Sequence, residues 1–311
     1  MKKNLKSSFI SNEILNSIHY LKNNKNYELK IKDCIFHIHL FFNDQNNINI
    51  QKFIQYLCEI LQLLISLIYH DIKKKNFEIY YYFTNHKKIL QKFLQRPYLL
   101  TTNEINSGSC QHDLNKKIIH IFRIEDILKT SIHEMIHALE LDYYKDNIQI
   151  INYYQKKYNI SSEIINTNEA YTELFANLLN CYLISKKINT NSKNKYDSFL
   201  YLIHLEKEFS NYQSQKILYL SNYQKSKIDI NKNTNVLSYF IIRNELFQNL
   251  SSFLKFTRLN NNNYLKLNNL NLWSNYLRKH KKIEKKKFRK NKTLKFLSIK
   301  MNLFDLSISI S

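Results

Sequence analysis

The chain has one glycine and one proline, Gly108 and Pro97, in 311 residues. The usual punctuation of a fold is therefore missing, and element boundaries have to be read from hydrophobic period and from clusters of Asn, Ser and Asp. The accompanying surplus of Lys, Asn, Ile, Tyr and Phe is what a very AT-rich coding sequence produces. The four cysteines, Cys34, Cys58, Cys110 and Cys181, are scattered and form no C-x-x-C pair. That spacing excludes a disulfide framework and a cysteine zinc knuckle, and a reducing, intracellular (cytoplasmic) compartment is the expectation. Met1 to Ser11 carries charge but no apolar core, which excludes a secretory signal there. The best membrane candidate, Phe53 to His70, is interrupted by Gln55, Glu59 and Gln62, so it reads as an amphipathic core helix and no transmembrane segment is expected.

What is present is the composition of a folded protein, with 44% hydrophobic and 14% aromatic residues. Length allows one compact unit or two closely packed ones. Basic residues number 47 against 25 acidic, and eleven of the basic ones fall between Arg278 and Lys295 with Glu284 as the only acid. Without that stretch 36 basic residues face 24 acidic, so the body is moderately basic. Such a surplus attracts nucleic acid, anionic membranes or acidic substrates, but codon drift explains it equally well.

Along the chain, Glu28 to Phe42 alternates as one strand or a pair, Gln51 to His70 as a helix, and Phe77 to Phe83 as a strand. His86 to Leu94 reads as a short helix ending near Pro97, followed by short strands at Ile105–Cys110 and Lys117–Arg123. From Glu125 the period lengthens, and Leu128, Ile132, Met135 and Leu139 recur at helical spacing to about Tyr143. Asn166 to Leu183 is a further helix, and helical patterns return at 196–210, 211–223 and 237–256. The predicted fold is α+β, a small mixed sheet on the helix around 125–143 with an all-helical C-terminal half. The divisions read as an N-terminal extension over 1–25, a core over 26–190, a helical subdomain over 191–275 and a basic tail over 276–311.

Within the 125–143 helix stands H-E-x-x-H, at His133, Glu134 and His137. Residues four apart project from one side of a helix, so both imidazoles reach one ion while the apolar stripe packs on an adjacent side. Zn²⁺ favours imidazole nitrogen and carboxylate oxygen, and a catalytic site takes three protein ligands. The third is sought in Asn168-Glu-Ala-Tyr-Thr-Glu, which sets Glu169 and Glu173 on one side of the next helix. Two like charges at that spacing repel mildly unless a cation compensates. The pair makes sense if Glu169 binds the metal and Glu173 receives the free ring N–H of a ligating histidine, His133. The bland alternative makes Asn166-x-x-Glu169 a capping box.

These residues resemble the glutamate-type zincins, metallopeptidases with H-E-x-x-H followed by E-x-x-x-D on a second helix. The match is at His133, Glu134, His137 and Glu169, with Glu173 where the pattern has Asp and a longer gap that leaves room for an inserted loop around Asp146 to Asn159. The metzincin pattern is excluded because Glu140 and Tyr143 occupy its Gly and third His positions. Over residues 75 to 265 the chain also resembles metallopeptidase-like proteins of giant DNA viruses, through Asn106-Ser-Gly, Phe122-Arg123, the H-E-x-x-H helix, Glu206 to Ser210, Gln215 to Leu218 and Asn235 to Phe240. The resemblance implies peptide-bond hydrolysis of a peptide or protein substrate, one zinc ion, Glu134 as the base that activates water, and a cytoplasmic or virion location in an infected host.

Gly108 has two readings, an edge strand where a missing side chain lets substrate backbone approach, or a turn needing positive φ. Tyr239, Tyr171 and His204 are candidates for stabilising an oxyanion, with Tyr239 and Gly108 the substrate-binding candidates retained. His112 and His120 read as surface or satisfied core residues. Two rival functions are carried: an inactive zincin-like metal-binding interaction protein, and a nucleic-acid binder acting through the basic surface and tail.

Overall fold

The computed structural model describes residues 9–44, 48–68, 75–90, 97–113, 116–142, 145–188, 192–221, 227–261, 265–280, 283 and 297–306. The architecture is α+β, with a five-stranded mixed sheet. β1 (Asn23–Ile31) and β2 (Cys34–Phe42) form a hairpin in register from Asn23↔Phe42 to Ile31↔Cys34. Helix α2 (Ile50–Leu67) then crosses to β3 (Lys75–Tyr82), which lies parallel to β2. The order is completed by β5 (Lys117–Ile121), parallel to β3, and by β4 (Gly108–His112), antiparallel on β5 at the sheet edge.

Alternation decides which face is which. Phe36, Ile38, Leu40, Phe77, Ile79, Tyr81, Ile119 and Ile121 are buried in the main core. They meet α2 and the helix α4 (Ile127–Ala138), and Tyr81 ties the layers together by a 3.0 Å hydroxyl contact to Ser131. On the opposite face α1 (Asn12–His19) packs Ile14 and Ile18 against Phe41, Tyr82 and Phe122. Residues 9–25, expected as an extension, thus supply a helix and the start of the first strand.

Behind α4 lie α5 (Ile148–Tyr158), the long α6 (Thr167–Ile188) and α7 (Ser192–Leu220). A π-helical segment at Leu237–Ile242 runs into α8 (Arg243–Gln248), followed by α9 (Leu250–Asn260) and α10 (Leu270–Arg278). The short α3 (Thr102–Ile105) precedes β4 and is closed by a capping box between Thr101 and Glu104.

Four expectations change. Asp146 to Asn159 is not a loop: Asn147 caps α5 through its side chain, Ile150, Tyr154 and Tyr158 make the buried face, and Asn159 ends it in the left-handed conformation. The two helices expected over 196–223 are one, α7, with no breaker between them. Residues 86–90 are not helical, because Ile89 pairs with Ser298, Leu90 N–H donates to the Leu297 carbonyl and Ile299 N–H to the Lys88 carbonyl. Residues 91–94 lie outside the described residues. Finally, the C-terminal part of the expected basic tail returns to the core, where Ile299, Met301 and Asn302 are buried. Of the basic run itself, Lys281, Lys282 and residues 284–295 lie outside the described residues.

The scarcity of glycine has a visible consequence. Lys32, Asp126, Glu140 and Asn159 all hold positive φ, the region glycine ordinarily fills, while Gly108 does not.

Candidate metal centre

Helix α4 begins at Asp126, whose φ of 63° turns the chain into it. It ends in a Schellman motif: Leu141 N–H donates to the Ile136 carbonyl and Glu140 N–H to the His137 carbonyl. Glu140 takes the left-handed position at φ 59°, held at its carboxylate by Lys117 at 2.7 Å. The reversal folds the following residues back along the helix, and this brings Asp142 against His137.

On α4, His133, Glu134 and His137 project towards a cleft of about 450 Å³. The Nε2 atoms of His133 and His137 lie 3.0 Å apart, and Glu169 Oε2, from the first turn of α6, lies 3.3 Å from each. Ligands about 2.0–2.1 Å from a tetrahedral centre stand roughly 3.3–3.4 Å from one another. The triangle therefore has the edge lengths of three corners of such a shell. Glu169 Oε2 is buried and, although 3.3 Å from both imidazoles, makes no aligned hydrogen bond among the described residues, which leaves its lone pairs available to a bound cation. The donor set fits a divalent metal ion.

Each imidazole is backed by a carboxylate at its other nitrogen. His133 Nδ1 is 2.9 Å from Glu173 Oε2, and His137 Nδ1 is 2.9 Å from Asp142 Oδ2. The first contact is close in distance but poorly aligned for a ring N–H donor, so it acts as an ion pair more than as an ideal hydrogen bond. Asp142 also accepts the Thr172 hydroxyl. Glu173 is compensated by Lys129 and by Arg243, whose Nη1 is 3.3 Å from Glu173 Oε1. These are the cations that relieve the Glu169–Glu173 repulsion.

Electrostatics follow from this packing. Burial alone lowers the pKa of both histidines, but the facing carboxylates outweigh it and the net direction is upward, strongly so for His137 beside Asp142 and Glu169. Burial opposes ionisation of Glu169 and Glu173, yet the neighbouring imidazoles, with Lys129 and Arg243 for Glu173, hold both well below the carboxylate range. Glu134 goes the other way, and burial raises it.

Gly108 opens β4 directly over Glu134. A Cβ there would stand 2.7 Å from Glu134 Oε1, 2.9 Å from its Cγ and 2.9 Å from Thr130 Cγ2. The turn reading is thus excluded, and the close approach is to the carboxylate of Glu134 itself. Tyr239 comes from the π-helical segment, its ring centroid 6.0 Å from that of His133 and its hydroxyl bonded to Asn235. Burial raises its phenol well above the ordinary range. Asn235 in turn donates to Glu169 Oε1 at 3.3 Å and accepts from Asn166 at 2.9 Å.

The capping-box reading of Glu169 does not hold. The start of α6 is capped by Asp146, which accepts from Thr167 N–H at 2.5 Å and from its hydroxyl at 2.6 Å, leaving Glu169 free for the cleft. Tyr171 lies elsewhere, donating to the Leu265 carbonyl in the core, and His204 is exposed on α7. His120 stacks on Tyr80 across the far face of the sheet, whereas His112 stands at the cleft. Asp142, Asn235, Lys129 and Arg243 escape sequence reasoning. Only Asp142 leaves a trace there, as an acid five residues after His137.

Over 180 residues the chain is 31% identical to the uncharacterised protein R210 of Acanthamoeba polyphaga mimivirus. The chain has a giant-virus relative. The matched stretch is 53% of this chain and 44% of that protein, so the chain spans less than half the relative's length. No protein-family profile and no solved structure matches the chain.

Proposed function

We propose that the chain is a zinc-dependent peptide hydrolase of the glutamate-zincin type, with His133, His137 and Glu169 as ligands and Glu134 as the general base. The observation that carries the reading is the triangle of two Nε2 atoms and one carboxylate oxygen with edges of 3.0–3.3 Å, built from residues 133, 137 and 169. Two imidazoles and one carboxylate are the ligand set of a catalytic zinc site, and a carboxylate 2.9 Å from each Nδ1 backs the rings with both Nε2 atoms towards Glu169. The edge strand over an H-E-x-x-H helix, with the third ligand on a second helix, also supports it.

A divalent ion held there supplies Lewis acidity, polarising a carbonyl and acidifying water. Glu134 lies on the same cleft with its carboxylate under β4. Its buried carboxylate accepts a proton from water at one oxygen and returns it to the leaving amine. The raised pKa of Glu134 suits both halves of that transfer. Tyr239, kept protonated by burial, offers a hydroxyl donor beside His133 to an oxygen gaining negative charge. The open edge of β4 provides main-chain groups along which an extended peptide can lie.

Glu134→Gln tests the assignment. The variant is expected to bind zinc as the wild type does and to lose cleavage of a proteome-derived peptide library, by about a hundredfold or more. Full cleavage by a zinc-loaded Glu134→Gln protein would remove Glu134 from the mechanism.

A further inference from the structure

One turn before His133 on α4, Lys129 lines the same cleft, as do Lys88 and Ser107. All three are buried, at 3%, 2% and 5% exposure. The surrounding charges form one network. Lys88 Nζ is 3.4 Å from Asp126, Lys300 Nζ is 3.3 Å from Asp126 and 2.5 Å from Asp305, and Lys129 and Arg243 share Glu173. Each of these cations thus has a carboxylate partner, and Lys88 has the loosest of them. Two more carboxylates border the network, Glu206 accepting from Leu303 and Phe304 N–H and Glu125 from Lys88 N–H.

A buried ammonium is unfavourable unless its donors are satisfied, and Lys88 borders the cleft. Lys88 has three donors, yet among the described residues its ammonium makes no contact closer than 3.4 Å with a carboxylate. The Ser107 hydroxyl, buried in the same cleft, has no partner among the described residues either. Ammonium groups and an orphan hydroxyl lining one cleft are complementary to a planar anion with several acceptor lone pairs.

We propose that this end of the cleft is a subsite for a carboxylate of the substrate, received by Lys88 and Ser107 with Lys129 behind them. The inference rests on the peptidase reading of the cleft and gives it a substrate class, peptides with an acidic side chain or a free C-terminal carboxylate close to the cleaved bond. Lys129 precedes His133 by four residues, about 6 Å along the helix axis. An extended peptide advances about 3.3 Å per residue, which sets the carboxylate within about two residues of that bond.

The test uses the full chain loaded with zinc and carrying Glu134→Gln, so that bound peptide stays intact. Three fluorescein-labelled pools of otherwise neutral octapeptides serve as probes: one with a central Glu and an amidated C-terminus, one with Gln in its place and amidated, and one neutral with a free C-terminus. By fluorescence anisotropy the Glu pool or the free-terminus pool is expected to bind about tenfold tighter than the neutral amidated pool, and which of them does so identifies the source of the carboxylate. Lys88→Met should reduce that preference to within about twofold, Ser107→Ala should weaken it, and Lys88→Arg, which keeps the charge and guards against a folding defect, should retain it. Equal binding of all pools would overturn the subsite. So would a preference that survives Lys88→Met, since the carboxylate would then be seated on the metal. If no pool binds and the wild type cleaves none, the hydrolase reading falls and the subsite with it, whereas cleavage of the neutral pool without acidic preference removes the subsite alone.

Discussion

Replacing Gly108 with alanine puts a methyl group into space held by Glu134 and Thr130. The new carbon would lie 2.9 Å from both Glu134 Cγ and Thr130 Cγ2, and 2.7 Å from Glu134 Oε1. Non-bonded carbons rest at roughly 3.5–4.0 Å, so something has to shift. The carboxylate end of Glu134 is the easiest part to displace, but its Cγ and the Thr130 methyl belong to a helix packed between sheet and α6. Overpacking of this kind costs about 1–3 kcal/mol, read by urea denaturation. A base moved by about 1 Å loses on the order of a hundredfold in turnover. His133, His137 and Glu169 are not among the three nearest contacts of the added carbon, so zinc affinity should stay within about threefold of wild type. Removing the Thr130 methyl in Gly108→Ala/Thr130→Ser should recover part of the stability and less of the activity. A Gly108→Ala protein with wild-type stability and turnover would refute the close approach.

Two further substitutions probe the surroundings. Asp142→Asn removes the charge behind His137 Nδ1, 2.9 Å away, and should weaken zinc binding about 10–100-fold in a chelator competition, with little loss if Asp142 is only a cap. Glu206 is buried and its pKa is raised from 4.5 to about 7, chiefly by desolvation. The folded protein then holds that proton where the unfolded chain has released it, so the contribution to stability is whole below pH 4.5 and declines as pH rises through about 7, by roughly 3 kcal/mol at most. Glu206→Gln, which can still accept from Leu303 and Phe304, should flatten that decline in melts run from pH 5 to pH 8, and an unchanged pH profile would contradict the raised value.

What the sequence made legible was local. The strand pattern over Glu28 to Phe42, α2 and the stripe of α4 announced themselves by period, while the choice between one strand and a pair stayed open, and the i, i+4 spacing of His133 with His137 and of Glu169 with Glu173 placed all four on one cleft. What stayed hidden depended on distant parts of the chain or on glycine's work done by other residues. Asp142 reaches His137 only because Glu140 adopts a left-handed turn that no glycine signals. Helix α5 carried its own marks, Asn147 and Asn159 around Ile150, Tyr154 and Tyr158 at four-residue spacing, but an expectation of an inserted loop overrode them. Residues 86–90 have helical composition, and their pairing with Ser298 joins segments over two hundred residues apart in sequence. The same holds for Arg243, which bridges Glu173 to the Met301 carbonyl and so links the candidate metal centre to the returning C-terminal segment.

The central claim is that His133, His137 and Glu169 hold one ion. Metal analysis of the purified full chain beside His137→Ala and Glu169→Ala, with circular dichroism to verify folding, measures it directly. The account predicts about one zinc per wild-type chain and a loss of affinity in both folded variants large enough to empty them on dialysis. Stoichiometric zinc retained by either variant, or a wild-type chain that takes up none when zinc is supplied, would contradict it.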